Sequence, residues 1–416
     1  MINRTQIQLE LDKLYRSDSR KIFATLVRLL GDFDLAEEAL HDAFLAASKT
    51  WLTEGIPSQP VNWLISAGRF KSIDRIRKDK TAQRLLRQDP SKTESEEFNE
   101  DQYDEYLDDD VLKLIFTCCH PAVNPEIQIA LTLREVCGLK TENIAQAFLV
   151  STTTMAQRIV RGKGKIRHSA IPFELPAKNE LNQRLDAVLL VIYLIYNEGY
   201  LATSGTSLLR IDLSNEAIRL ATLLSELIDD SEVNGLLALL LFQDARKAAR
   251  VDSAGNSILL ENQDRSLWNA KQVQTGVHYL NRAFEGSYGV YTLQAAIAHE
   301  HVRAKEYTST NWAAIEAFYR NIISIEPTAI FRLNHAVALS MVDGPESGLQ
   351  QINALLLSNE LKDYTFLYCA QGEMLYRQKR YTDALNAFSY AHSLTNQAAA
   401  LQSIKCRMDE IKQHIR

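Results

Sequence analysis

The chain has 416 residues, with 46 Lys and Arg against 52 Asp and Glu and a formal net charge of -6, so any nucleic-acid-binding surface has to be a segregated one. No window approaches the roughly eighteen consecutive apolar residues of a membrane span, and the N-terminal MINRTQIQLELDKLYR lacks a signal-peptide apolar stretch; a soluble, cytoplasmic protein without membrane contact is expected. Of five cysteines only Cys118 and Cys119 are adjacent and no CxxC pair occurs, which excludes a disulfide framework and predicts free thiols.

Hydrophobic periodicity is helical almost throughout, with the few prolines and glycines marking helix ends, and predicts an all-α fold. In DLAEEALHDAFLAASKTW the apolar stripe Leu35, Ala39, Leu40, Ala43, Phe44 and Ala47 is ordinary core patterning, with Glu37, Glu38, His41 and Asp42 elsewhere on the helix. The next helix, VNWLISAGRFKSIDRIRKDK, turns Leu64, Ile65, Ile73 and Ile76 inward and presents Arg69, Lys71, Arg75, Arg77, Lys78 and Lys80 outward. Trp63 and Phe70 interrupt those cations. Such aromatics either stack on unpaired bases or belong to the core.

Residues 88–110, QDPSKTESEEFNEDQYDEYLDDD, hold Lys92 as their only cation and predict a flexible acidic linker. Beyond it, residues 133–167 predict a DNA-binding helix-turn-helix. Ile144, Ala145 and Phe148 form the inner face of the first helix, Val150 and Ser151 the turn, and Ser151 to Thr154 a polar start to the second. That second helix carries Arg158, Arg161, Lys163, Lys165 and Arg167 with no acid among them, a phosphate-facing pattern; a solvated basic hairpin would share the charge but not the turn spacing.

After the helix-breaking HSAIPFELP come further apolar helices, with VDSAGNSILLENQDRS, residues 251–266, as the one place for a short hairpin or ordered loop. Tyr368, Gly372, Leu375, Ala384, Phe388 and Ala391 have the large and small spacing of a tetratricopeptide hairpin; Ile315, Tyr319, Ile322 and Pro327 match the end of an earlier copy, and Phe331 with Ala338 marks a degenerate one. Glu198, Asp212, Asp244, Arg246, Asp264 and Arg265 sit amid apolar helices, where structural salt bridges explain them better than a catalytic pocket. His299, Glu300 and His301 do not form a metal site, because alternate helical residues point about 200 degrees apart. No nucleophile elbow, Gly-rich phosphate loop or HExxH helix occurs, and no enzyme activity, cofactor or metal is expected.

DLAEEALHDAFLAA, then NWLISAGRFKSIDRIRKDK, then the helix-turn-helix resemble, in order and spacing across residues 8–168, the two defining domains of extracytoplasmic-function sigma factors of bacterial RNA polymerase. The repeats extend the resemblance to the subgroup with a fused C-terminal tetratricopeptide-like extension. The resemblance implies four parts: residues 1–84 as sigma region 2, 85–109 as linker, 110–170 as sigma region 4 and 171–416 as the extension. It further implies polymerase clamp binding through Glu38, Leu40, Asp42 and Phe44, with Asp42 standing where the family often has glutamate. Recognition of the -10 element would fall to Trp63, Arg69, Lys71, Arg75, Arg77 and Lys78; the -35 element would be read by Ser151, Thr152, Thr153, Thr154, Gln157, Arg158, Arg161 and Lys163. The partners so implied are core polymerase and promoter DNA, with a protein or small-molecule signal at the extension. Two other readings are a helical-repeat enzyme or ligand sensor using the N-terminal part for targeting, and an ordinary repressor that needs no polymerase.

Overall fold

The computed structural model describes residues 4–85, 107–147, 150–201, 211–250, 252, 258–395 and 398–415, and every regular element among them is helical. Most of the acidic linker, residues 88–106, and Phe148 lie outside the described residues. The chain divides into two compact units, residues 1–195 and 196–416, a division well beyond the proline-bearing junction.

In the first unit, α1 (Arg4–Leu30), α2 (Phe33–Glu54) and α3 (Pro60–Leu85) pack together around Phe23, Leu26, Leu40, Trp51, Leu64 and Ile65, all buried. The Asp32 carboxylate accepts from the backbone N–H groups of Asp34 and Leu35, which satisfies the open donors at the start of α2. Pro60, whose fixed φ and missing N–H suit a first helical position, opens α3. Then follow α4 (Leu107–Cys118), α5 (Pro125–Leu131), a π-helical turn Thr132–Val136, α6 (Thr141–Ala147) and α7 (Thr152–His168). α4 is tied to α1 by Arg28, whose Nε lies 2.7 Å from the buried Asp110 carboxylate. HSAIPFELP is not a free junction: Ile171 is buried, the Phe173 ring meets Phe33 edge-on at 5.4 Å, and Pro172 accepts a bond from Thr117. Cys118 and Cys119 are buried and free, and burial pushes the Cys119 thiol up to about 12, so both behave as packing groups.

The remaining helices are α8 (Lys178–Leu201), within which the division falls, α9 (Ile211–Leu227), α10 (Ser231–Asp244), α11 (Ala270–Phe284) and α12 (Val290–Arg303). α10 is buried from Val233 through Phe242, as an apolar all-round sequence demands, and packs against α9, α11 and α12. Its Glu232 reaches across to α12, accepting from the N–H groups of Gly289, Tyr291 and Thr292 and from the Thr292 hydroxyl, and so caps a helix distant in sequence. Residues 251–266 give no strand among the described residues, only two 3-10 turns, Leu260–Asn262 and Arg265–Leu267.

From α12 each helix packs on the next through α13 (Trp312–Ile325), α14 (Ala329–Val342), α15 (Pro345–Ser358), α16 (Thr365–Arg377), α17 (Tyr381–Ser393) and α18 (Ala398–Ile415). This is a helical repeat domain. The residues singled out for their repeat spacing do the packing: a Cβ on Gly372 would stand 2.6 Å from the Phe388 ring, so only glycine lets α16 and α17 come this close. His299 stacks on Phe242 and His301 meets Trp312, so the two imidazoles diverge.

Among the described residues, the salt bridges expected of Arg246 and Arg265 are not formed. Asp244 instead lies 3.4 Å from Lys247 and accepts from Gln272, Asp264 caps Ser266, and Arg265 donates to the carbonyls of His301 and Ala304. Asp244 and Asp264 thus each have a partner other than an arginine. The side chains of Glu198 and Asp212 are outside the described set. No helix among the described residues is long and apolar enough to cross a membrane.

Candidate nucleic-acid interface

α6 and α7 form the two helices of the helix-turn-helix, and local chemistry explains where the second begins. Ser151, in extended backbone, accepts from the Thr154 N–H at 3.1 Å, while its hydroxyl also meets the Thr154 hydroxyl at 2.8 Å. Met155, Ile159, Gly162 and Ile166 form the buried stripe of α7 at helical spacing. Gly162 is there by necessity, since a Cβ would lie 2.5 Å from Ile127 and 2.8 Å from Leu131 of α5.

With that stripe inside, Thr153, Gln157, Arg161 and Lys165 follow one another at four-residue spacing along the exposed side, flanked by Thr152, Ala156 and Val160. A short polar N-terminal end followed by cations is an arrangement that can offer side chains to base edges and then to phosphates. Ser151 and Thr154 are exposed but spend their hydroxyls on the cap.

The other cations of α7 do not share this face. Arg158 is paired with Glu126 at 3.1 Å. Lys163, expected among the DNA-binding residues, is turned inward: its side chain is 11% exposed and lies 3.0 Å from Glu135, 3.3 Å from Asp34 and 3.9 Å from Glu37. Burial works to lower its pKa, but the carboxylates of Glu135, Asp34 and Glu37 outweigh that and hold the ammonium charged. One turn on, Arg167 reaches Asp32 at 2.6 Å and Asp34 at 2.9 Å, and Arg134 reaches Glu37 at 3.0 Å. The helix-turn-helix is thus docked on the acidic N-terminal end of α2 through its own cations. Nothing in the local sequence of α7 signals this, because the acids stand far upstream.

On α3 the two aromatics separate. Trp63 is half-buried and meets Trp51 edge-on at 5.5 Å, whereas Phe70 is 57% exposed. Lys71 is partly buried and donates to the Asp42 carbonyl at 3.2 Å, which ties α3 to α2, and Arg69 is half-buried. The side chains of Arg75, Arg77 and Lys78, like that of Ile76, lie outside the described set.

On α2, Leu40 is wholly buried, so it serves the core and cannot be a polymerase contact in this packing. Phe44 and Asp42 are partly exposed, with the Phe44 ring against Tyr15 at 5.2 Å, and Glu38 is exposed. The apolar side chain standing out beside them is Leu45, 53% exposed, which the sequence reading passed over. Its signal was its place outside the apolar stripe.

Comparison with known proteins places the description "Sigma-70, region 4" on residues 113–166, from α4 through most of α7, and a family of unknown function (DUF6596) on residues 184–284. An uncharacterized protein of Rhizobium meliloti (strain 1021) is 38% identical over 393 residues, spanning 93% of this chain and 92% of its own. Among solved structures, the crystal structure of the P58(IPK) TPR domain aligns over 93% of this chain and 98% of its own, at 13% identity and a TM-score of 0.25. The region 4 match supports a sigma-factor role in DNA binding.

Proposed function

The chain belongs to one family with the uncharacterized Rhizobium meliloti protein, and from its sigma-70 region 4 helix-turn-helix we propose that it is a promoter-specificity subunit of bacterial RNA polymerase, of the extracytoplasmic-function type. The single observation carrying this reading is the exposed, acid-free ridge Thr153, Gln157, Arg161 and Lys165 on a capped helix inside the region 4 match. In this reading α7 reads the -35 element in the major groove. The three-helix α1 to α3 assembly acts as region 2. Glu38, Asp42, Phe44 and Leu45 of α2 face the polymerase clamp, and Phe70 with the cations of α3 engages the melted -10 element.

Phe70 is the more exposed of the two aromatics and, in this reading, is the one offered to the melted bases, while the half-buried Trp63 packs against Trp51. The acidic residues between the two DNA-binding parts suit polymerase channels lined for nucleic acid, where a polyanion meets the complementary field. The helical repeat domain regulates polymerase use from within the same chain. Tethering holds it at high local concentration beside the DNA-binding parts, so weak contacts suffice.

The test is selection of promoter sequences from a random DNA library by core polymerase with and without the protein. A protein-dependent motif in two blocks supports the reading. A motif recovered equally well by the protein alone would make it an ordinary DNA-binding regulator.

A further inference from the structure

The arginines that the transcriptional reading leaves unused form one electropositive cluster in the second unit. Trp268 is its centre: the Arg265 guanidinium carbon is 4.4 Å and that of Arg246 5.7 Å from the indole ring. Arg250 lies close by, 3.3 Å from the Tyr200 ring and donating to the Tyr200 carbonyl. Neither Arg246 nor Arg265 has an ion pair among the described residues. Arg246 makes one long bond, 3.4 Å, to Gln263, and Arg265 donates through Nη1 alone to the carbonyls of His301 and Ala304.

Among the described residues, the acids nearby pair with neither Arg246 nor Arg265. Asp244 serves Lys247 and Gln272, Asp264 is exposed and caps Ser266, and Glu300 faces Arg303. Positive charge in excess of acid at one place is costly unless an anion shares it. The neighbouring groups register the imbalance: burial first, then Arg246 and Arg265, push the His301 imidazole down to about 4, leaving it neutral at physiological pH.

Unused donors collect at the same place. Among the described residues, Trp268 Nε1 and Arg265 Nη2 are buried without a protein partner, as is the hydroxyl of Tyr196, a residue wholly buried and close enough to Arg246 and Arg250 to feel both charges. Buried N–H and O–H groups are nearly always satisfied, so several orphans around the Arg246 and Arg265 guanidiniums, which have no ion pair among the described residues, mark a place built for acceptor oxygens. The planar guanidinium of Arg246 over an indole is a pre-organised fork for two oxygens of one group.

We propose that Arg246, Arg265 and Trp268 bind a small oxyanion, the carboxylate or phosphate of a small molecule. The inference goes beyond promoter recognition and does not depend on it. Binding adds two or more charge-assisted hydrogen bonds and relieves the crowding of like charges, with Trp268 closing one side.

The experiment is isothermal titration of the full-length protein with inorganic phosphate and, separately, with malonate, each in chloride buffer at constant ionic strength. Saturable binding of at least one is expected, weakened about tenfold or more by Arg246→Gln and by Trp268→Phe, the loss that one charge-assisted bond implies. Phosphate alone would assign a phosphate-bearing ligand and malonate alone a carboxylate. Arg246→Gln changes a half-buried side chain with no ion pair, and circular dichroism checks that its helices persist. No saturable heat with either probe, or equal affinity in wild type and a folded Arg246→Gln, would overturn the proposal.

Discussion

Lys163 of α7 lies 3.0 Å from Glu135, a carboxylate 1% exposed in the π-helical turn before the helix-turn-helix. The pair binds the recognition helix to the body of its own domain. Removing one member of such a buried pair leaves the other uncompensated, so Lys163→Met should destabilise the first unit by about 3 kcal/mol. Lys163→Met with Glu135→Leu should recover most of that loss, since both charges then go together. Urea unfolding checks both; a single-variant loss below about 1 kcal/mol would show that the pair is not what anchors α7.

DNA contacts separate from this structural role by salt dependence. Arg161→Ala and Lys165→Ala should each reduce the slope of log affinity against log salt by about one unit, one phosphate contact apiece. Gln157→Ala should relax preference at one base position and leave the slope unchanged. Binding assays at several salt concentrations decide this, and unaltered slopes for both cation variants would put the interface on another face.

The surface proposed to face the polymerase clamp gives a third expectation. Glu38→Lys with Leu45→Ala should abolish association with core polymerase while leaving the helices intact, because a repulsive charge and a lost apolar anchor act at one patch. Leu40→Ala should act through the fold, at about 2 to 5 kcal/mol for a buried leucine. Pull-down with core polymerase beside thermal melts separates the two effects, and retained binding by the folded double variant would move the docking site.

Acid should loosen the contact between α2 and α7. Burial tends to raise the Asp34 carboxyl, but the Arg167 bond and Lys163 outweigh it and hold the group below its ordinary value of 3.8. A carboxyl with a depressed folded pKa contributes stability that is present above its ordinary value and is lost as pH falls through the lowered one. Wild type should therefore melt above Asp34→Asn at neutral pH, and the two should converge well below pH 4. The gap should be small, because Asp34 is largely exposed, and should shrink with salt. A gap that persists unchanged in acid would contradict this.

The order of helices, the Ser151 cap and the close approach of Gly372 to Phe388 were legible in the sequence, because each depends on residues near one another and on a fixed helical period. The direction of Lys163 was not. Its partner Asp34 is 129 residues away, and only tertiary packing decides which cation of a basic helix turns inward. Leu40 could have been placed from the sequence alone, since it lies in the same apolar stripe as Ala39 and Ala43; assigning it to the polymerase surface set a family resemblance against its own helical phase. Arg246 and Arg265 were legible as charged residues amid apolar helices, but not their lack of an ion pair among the described residues, because Asp264 is claimed by a capped backbone N–H and Asp244 by an amide and a lysine.

The central claim is that this chain gives core polymerase its promoter. The most direct measurement is run-off transcription by purified core enzyme from a promoter selected in its presence, with and without the full-length protein. Expected is a discrete transcript that requires the protein, disappears with Glu38→Lys plus Leu45→Ala, and weakens with Arg161→Ala. A transcript of equal strength from core enzyme alone, or none although the folded protein binds that DNA, would contradict it.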